Sequence, residues 1–262
     1  LINRKDISED TRTYTFGLPD GKQILGLGTC QHVQLGFHLK DQMLIRSYTP
    51  TRPVLPPSKG ASKDHDADGD GTFDVTVKTY FPNEDQPGGA MSNILDCMSI
   101  GEEIEIRGPT GEIVYNGNGK FNISGQEQTF SRVSLVLGGS GFTPGYSLIA
   151  RILLSESDKT EVRVIDANKS EQDILLHGDL DKFVEKGKGQ LKVTHVLSHP
   201  SKDWKGIKGH VNADIIKENL FEPKEGSAVF LCGPPAMIQK AALPALKGKF
   251  IGILSTLSRA HK

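Results

Sequence analysis

Residues of three kinds in this 262-residue chain are typed and spaced for chemistry. The first is "LVLGGSGFTPGY", residues 135–146, where an apolar run leads into Gly138, Gly139 and Gly141 and then into Thr143 and Pro144. A buried strand, a tight turn and a helix opening read from that pattern. Free backbone N–H groups at a helix start favour an anion, and glycine lets a phosphate approach without a Cβ in the way. The spacing is neither G-x-G-x-x-G nor G-x-x-x-x-G-K-[ST]. The same residues also suit an ordinary structural turn. The second is "RSYTP", where Arg46 and Tyr48 share one face of a strand, with Ser47 between them and Thr49 following. A guanidinium matches a phosphate bidentately and a phenol ring stacks on a flat heterocycle. The third is "QPGGAMSNIL", in which Gly88 and Gly89 precede Met91 and Ser92 at an expected helix start, with Ser92 able to cap. An ordinary strand-end tyrosine and an ordinary helix entry fit these two stretches as well.

Two halves of different texture must position these groups. Residues 1–122 hold short β-like runs, among them "TRTYTFGL", "QHVQLGFHL", "MLIRSYTP", "FDVTVKTYF" and "EEIEIRGP", each punctuated by glycine or proline. This is the pattern of a small antiparallel barrel. Residues 131–262 alternate strands with helices, which predicts a parallel sheet covered on both faces. The polar, aperiodic "ISGQEQTF", 123–130, is the expected linker. The fold class is thus a β barrel followed by an α/β domain.

Composition excludes several classes of function. Lys and Arg number 31 against 32 Asp and Glu, a net charge of −1, so no global field recruits nucleic acid or an anionic membrane. The most apolar window, 133–154, contains four glycines, a proline and Arg151, unlike a span of about 20 apolar residues. Cys30, Cys97 and Cys232 lie far apart with no C-x-x-C pair, which argues against a disulfide framework or zinc site and fits a reducing, cytoplasmic setting. The non-Met start without a signal sequence reads as a piece of something longer. "DHDADGDG" imitates a calcium loop. Counting Asp64, Asp66, Asp68 and Gly69 as its opening places Val75 at the twelfth position, and starting at Asp66 places Val77 there, where a bidentate Glu is required. A solvated acidic hairpin loop is expected, and a calcium-binding module spanning Asp64 to Asp70 is the rival of another class. No metal site is otherwise expected.

Taken in order, "RSYTP", "VKTYF", "GGAMS", "RGPTG", "GGSGFTP" and "CGPPAMI" resemble the ferredoxin-NADP reductase superfamily, in its cytochrome b5 reductase branch. Within that branch, "ISEDTRTYTFGLP", "IRGPTGEIVYNGNGKF" and "CGPPAMIQKAALPALK" are most similar to the C-terminal FAD/NAD(P)H reductase part of fungal assimilatory nitrate reductases, over residues 2–247. The resemblance implies non-covalent FAD, with Arg46 at its pyrophosphate, Ser47 beside it, Tyr48 against the isoalloxazine, and Thr49 near the reactive edge. Val77, Lys78 and Tyr80 fall on the next flavin strand, and Gly88, Gly89, Met91 and Ser92 at the phosphates, with Ala90 where many relatives carry Lys. His32 is expected to be structural. NADPH or NADH would enter at Gly138, Gly139, Gly141, Thr143 and Pro144, Thr143 also approaching the flavin. Cys232, Gly233, Pro234 and Met237 would close that pocket with the thiol beside the nicotinamide. Asn168, Lys169 and Gln172 would face the adenosine ribose, and Gln172 stands where relatives preferring NADH read Asp, which favours NADPH. Thr49, Thr143 and Cys232 are the expected catalytic residues. The implied partner is a cytochrome b5-type heme domain in the same parent chain, which would be a homodimer through regions not present here, serving nitrate assimilation. A stand-alone cytochrome b5 reductase is the alternative. The tail after Lys247, "GKFIGILSTLSRAHK", departs from the family pattern.

Overall fold

The computed structural model describes residues 1–19, 25–52, 54–55, 65–66, 71–84, 87–247 and 253–255. The chain divides into two compact units, Leu1–Val114 and Tyr115–Lys262.

In the first unit, β1 (Asn3–Asp6), β2 (Thr11–Gly17) and β7 (Thr72–Lys78) form one antiparallel sheet in the order β1-β2-β7. A second antiparallel sheet, β4-β3-β8, joins β3 (His32–Leu39), β4 (Gln42–Tyr48) and β8 (Glu105–Thr110). A two-stranded ladder of β5 (Val54–Leu55) and β6 (His65–Asp66) lies between β4 and β7 in sequence. The expected barrel is therefore built of short antiparallel sheets around one core. Alternate residues Tyr14 and Phe16 on β2, Val33 and Leu35 on β3, and Phe73, Val75 and Val77 on β7 supply it, and Met91 and Leu95 of α1 (Ala90–Cys97) fill it. The period of two puts one face of each strand inward and leaves the other to polar side chains.

The second unit begins within β9 (Ile113–Tyr115), which joins β10 (Lys120–Ile123) and β11 (Gln126–Thr129) in the order β11-β10-β9. Most of the segment expected as a linker is thus the second half of a hairpin. All four residues of β11 are exposed, so no apolar alternation marks it. Its turn is set by Ser124 and Gly125 at positive φ, with the Gly125 N–H donating to Asn122 Oδ1 at 2.9 Å.

Next comes a parallel sheet in the order β15-β14-β13-β12-β16-β17, from β12 (Arg132–Gly138), β13 (Glu161–Asn168), β14 (Leu191–Leu197), β15 (Ile207–Lys208), β16 (Ser227–Cys232) and β17 (Ile253–Ser255). The central strands β12 and β16 are almost wholly buried, as strands covered on both faces must be. Helices α2 (Phe142–Leu154), α3 (His177–Gly187) and α4 (Ala213–Asn219) connect them. Short helices α5 (Pro235–Met237) and α6 (Leu243–Leu246) flank a π turn after β16. The chain runs outward from β12 to β15 and then returns to the other side of β12 with β16. That reversal makes the carboxyl ends of β12 and β16 the topological switch point, where open α/β sheets bind ligands.

Of the acidic loop, only His65 and Asp66 fall among the described residues, so the calcium reading at Asp64, Asp68, Gly69 and Asp70 lies outside them, as does the tail except for 253–255. Among the described residues no helix is long and apolar enough to cross a membrane, and no cluster of His, Cys, Asp and Glu could hold a metal ion.

Candidate functional site

In the first unit the "RSYTP" residues occupy the exit of β4. Arg46 and Tyr48 are register partners of the buried Leu35 and Val33, so both leave β4 on one side. Ser47 pairs with Gln34 and is exposed, while Thr49 is buried. Tyr48 packs half-buried against the core. Burial pushes its phenol above the usual tyrosine range, with the Arg46 charge acting the other way and Tyr14 and Tyr80 close enough to add to the rise. At neutral pH the ring is therefore an uncharged platform with a hydroxyl donor.

Of the two arginines in "RSYTPTR", the structure fixes Arg52. Its Nε and Nη2 donate to the two Asp74 carboxylate oxygens at 2.8 and 3.1 Å, and Nη1 donates to Thr72 Oγ1 at 2.7 Å. The Thr51 N–H donates to Asp74 O at 2.9 Å. These bonds hold the chain after Tyr48 onto β7. Arg46 is exposed, and among the described residues its Nη1 donates to the neighbouring Ile45 carbonyl at 2.7 Å. Sequence gave no sign of this division, because Asp74 lies on another strand.

At the end of β7, Val77 is buried and Lys78 forms an ion pair with Asp10. Tyr80, 46% exposed, is the hub of the next segment. Its carbonyl accepts from the Gly89 N–H at 2.8 Å and from Asn93 Nδ2 at 2.8 Å, and its N–H donates to Ser92 Oγ at 3.3 Å. Gly88 has φ +80°, and a Cβ there would lie 2.6 Å from Tyr80 O and 2.8 Å from Pro82 N. Helix α1 starts at Ala90 with Gly89 as its N-cap and no side chain capping it. Ser92 is thus not the cap: the helix begins earlier than expected, and Ser92 turns its hydroxyl back to donate to Gly89 O at 3.0 Å. Asn93, unmarked in the sequence, also donates to Gly89 O at 2.7 Å. First-turn N–H groups have no partner inside a helix, so an uncapped α1 start offers donors to an anion. These residues fit the phosphate end of a flavin nucleotide.

In the second unit, residues 138–141 and 232–237 meet at the switch point. Leu137 and Cys232 are register partners on β12 and β16. A Cβ on Gly138 would lie 2.9 Å from Pro234 Cδ and 3.0 Å from Met237, and one on Gly141 would lie 2.7 Å from the backbone of Cys232 and Gly233. The glycines thus let the two loops pack onto each other, in addition to any ligand approach. Gly139 takes φ +50°, and Gly145 lets α2 settle on Leu137, whose Cδ1 a Cβ there would strike. Helix α2 opens without a side-chain cap, and Pro144 in its first turn has no N–H to satisfy. Thr143 is buried, its Oγ1 donating to Ser140 O at 3.4 Å. Cys232 and Met237 are half-buried, and Gly233 takes φ +153° beside Met237.

Asn168 ends β13, on the opposite side of β12 from β16. It is 8% exposed, and among the described residues neither its Nδ2 nor its Oδ1 has a hydrogen-bond partner. A buried amide with both ends unmet carries a free-energy penalty that a polar ligand group would relieve. Lys169 and Gln172 follow, both exposed. Ser170 and Asp173 form a capping box, the Asp173 carboxylate accepting from the Ser170 N–H at 2.8 Å and hydroxyl at 2.7 Å. The orphaned Asn168 amide, the uncapped α2 start and the paired loops fit a dinucleotide laid across the strand ends.

The Oxidoreductase FAD-binding domain model matches residues 1–115, and the Oxidoreductase NAD-binding domain model matches residues 135–242. The chain is 38% identical over 255 residues to NADH-cytochrome b5 reductase 2 of Danio rerio, covering 94% of this chain and 78% of that protein. It is 36% identical over 243 residues to nitrate reductase [NADPH] of Aspergillus niger, covering 92% of this chain and 26% of that protein. The chain thus spans about a quarter of that nitrate reductase, and 39% of nitrate reductase [NADH] 1 of Zea mays. The crystal structure of the cytochrome b5 reductase domain of Ulva prolifera nitrate reductase superposes with a TM-score of 0.86 at 31% identity, covering 97% of this chain and 95% of that one. An antiparallel FAD-binding domain followed by a parallel-sheet NAD-binding domain, with these relatives, identifies the chain as an FAD-dependent oxidoreductase of the family that includes the cytochrome b5 reductases and the reductase domains of nitrate reductases.

Proposed function

We propose that this chain takes a hydride from NADPH in preference to NADH and passes the electrons singly to a heme domain of cytochrome b5 type, as the reductase part of an assimilatory nitrate reductase. Bound FAD supplies the conversion between two-electron and one-electron transfer. The protein's residues bind and orient. Arg46 and the start of α1 hold the flavin pyrophosphate, with Gly88, Gly89, Met91 and Ser92 forming the turn that presents it. Tyr48 and Thr49 line the ring, and Val77, Lys78 and Tyr80 border it. The loops with Gly138, Gly139, Gly141, Thr143 and Pro144, and with Gly233, Pro234 and Met237, receive the coenzyme and set Cys232 beside the nicotinamide. Asn168 hydrogen-bonds the adenosine half, and Lys169 and Gln172 meet the ribose.

The observation that carries the coenzyme reading is the exposed Lys169 and Gln172 after β13, where an acidic side chain would accept from a 2′-hydroxyl and repel a 2′-phosphate. Its test is anaerobic bleaching of the yellow protein followed by reduction of a separately prepared b5-type heme domain, with each coenzyme in turn. A protein that takes up no FAD sinks the reading, and higher kcat/KM with NADH sinks the coenzyme assignment. A second reading, a stand-alone cytochrome b5 reductase with a separate heme partner, is favoured by the 78% coverage of the Danio rerio protein.

A further inference from the structure

Three side chains in the turn after β13 could act on a ribose: Glu171, Gln172 and Asp173. Two are acids, which alone would point to NADH. Both are engaged. Asp173 closes the capping box on Ser170. Glu171 is held from outside its own segment: the Ser201 N–H donates to Oε1 at 3.1 Å and Oε2 at 3.2 Å, and the Ser201 hydroxyl donates to Oε1 at 2.5 Å.

The loop that carries Ser201 is itself braced. The Ser198 N–H donates to Asn168 O at 3.1 Å and the His199 N–H to Lys169 O at 2.7 Å, which continue the β13–β14 pairing past the strand ends. The Trp204 N–H donates to Ser201 O at 3.4 Å, and its indole Nε1 donates to Ile207 O at 3.2 Å. Ser201 is therefore a donor in a fixed place and not a passing contact. Its hydrogen bonds, with a smaller contribution from Lys208, hold the Glu171 carboxyl below the usual range. A carboxylate already accepting from the Ser201 N–H and hydroxyl has less capacity left for a ribose hydroxyl, and these donors and Lys208 offset its charge as felt by a phosphate.

From this we infer that Ser201 is a positioning residue for coenzyme discrimination: by occupying the Glu171 carboxylate it removes an acid from the ribose-recognition turn and makes room for a 2′-phosphate. The inference rests on the NADPH reading above, because it names a device by which an acidic turn tolerates that phosphate. Ser201 is exposed, and its proposed role needs no contact between it and the coenzyme. Its action runs through Glu171.

The test is steady-state ferricyanide reduction by the FAD-loaded chain with NADPH and NADH, comparing parent, Ser201→Ala, Glu171→Gln and the double variant. The quantity read is the ratio of kcat/KM for NADPH to that for NADH. Ser201→Ala removes the hydroxyl donor and keeps the N–H, and should lower the ratio by about fivefold at low ionic strength, the size of one lost hydrogen bond to a charged group, and by less as salt rises. Glu171→Gln in the Ser201→Ala background should restore it to within about twofold of the parent, since no charge is left to release. A merely structural role would lower both coenzymes together and would not be rescued by Glu171→Gln. An unmoved ratio in Ser201→Ala, or a fall that persists in the double variant, overturns the inference. A parent ratio below one that still drops in Ser201→Ala sinks the NADPH reading and leaves the clamp standing. A parent ratio above one that does not move does the reverse.

Discussion

Gly88 lies so close to Tyr80 that a methyl group on its Cα would sit 2.6 Å from the Tyr80 carbonyl oxygen, while the N–H of the next residue donates to that same oxygen at 2.8 Å. The end of β7 and the entry to α1 are thus one unit of structure, and the backbone that carries the exposed Tyr80 is fixed by the turn that starts the helix. The residues proposed to border the flavin ring and those proposed to hold its phosphates depend on each other through this contact.

Gly88→Ala should therefore uncouple them. The φ of +80° is strained for any residue with a Cβ, and the clash adds to it, for a loss of about 1–3 kcal/mol in stability. Thermal unfolding should show the loss, and FAD should be depleted on gel filtration. An alanine variant with parental melting temperature and flavin content would mean that the turn bends without consequence.

Cys232→Ser probes the other unit. The thiol ends β16 as the register partner of Leu137, and a serine there fits sterically. FAD content should not change, while stopped-flow reduction by NADPH should slow by about tenfold to a hundredfold, the range produced by imperfect alignment of reacting groups. Equal rates in variant and parent would remove Cys232 from the nicotinamide side.

Asp10 gives a pH prediction. Burial pushes its carboxyl up, but the Lys78 hydrogen bond and charge, with hydroxyls of Thr11 and Ser8 at 3.0 and 3.1 Å, hold it below the ordinary 3.8. A depressed folded-state pKa contributes stability that is present above the unfolded value and lost as pH falls through the folded one. Asp10→Asn should thus lower stability at pH 7 by a few tenths to about 1 kcal/mol, the site being partly open to solvent. The two melting curves should converge below pH 3.8, where the parent loses its ion pair. A difference as large at pH 2 as at pH 7 would show that the carboxylate charge is not what matters.

The order of elements was legible because it rests on local periodicity: two-residue alternation in β2, β3 and β7, and buried runs in β12 and β16. The glycine clusters were legible as turns. What they approach was not, since Gly138 and Gly141 answer to Pro234, Met237, Cys232 and Gly233, some ninety residues on in the chain. The same limit hid the Arg52–Asp74 clamp and the Ser201–Glu171 contact, each of which needs the sheet in place before the partners meet. Ser92 was misplaced by one turn of helix because a glycine N-cap leaves no polar residue to mark the start. Strand β11 escaped because four exposed polar residues carry no pattern.

Gln172→Asp is the most direct probe of coenzyme choice. Gln172 is exposed between two engaged acids, so an aspartate there would be an acceptor with no protein donor assigned to it, unlike Glu171 and Asp173. Its charge would sit in the turn that follows β13, where a 2′-hydroxyl gains from a carboxylate and a 2′-phosphate is repelled. Lys169, three residues earlier and exposed, would be partly neutralised by the new charge, which weakens phosphate binding further. The ratio of kcat/KM for NADPH to that for NADH should fall by roughly tenfold, one charge reversing from tolerance to repulsion at short range. Most of the change should appear in KM for NADPH, because the ribose lies outside the hydride-transfer geometry and contributes uniform binding. A variant whose ratio matches the parent's, or one in which kcat falls for both coenzymes while both KM values hold, would place the discriminating contact elsewhere than at residue 172.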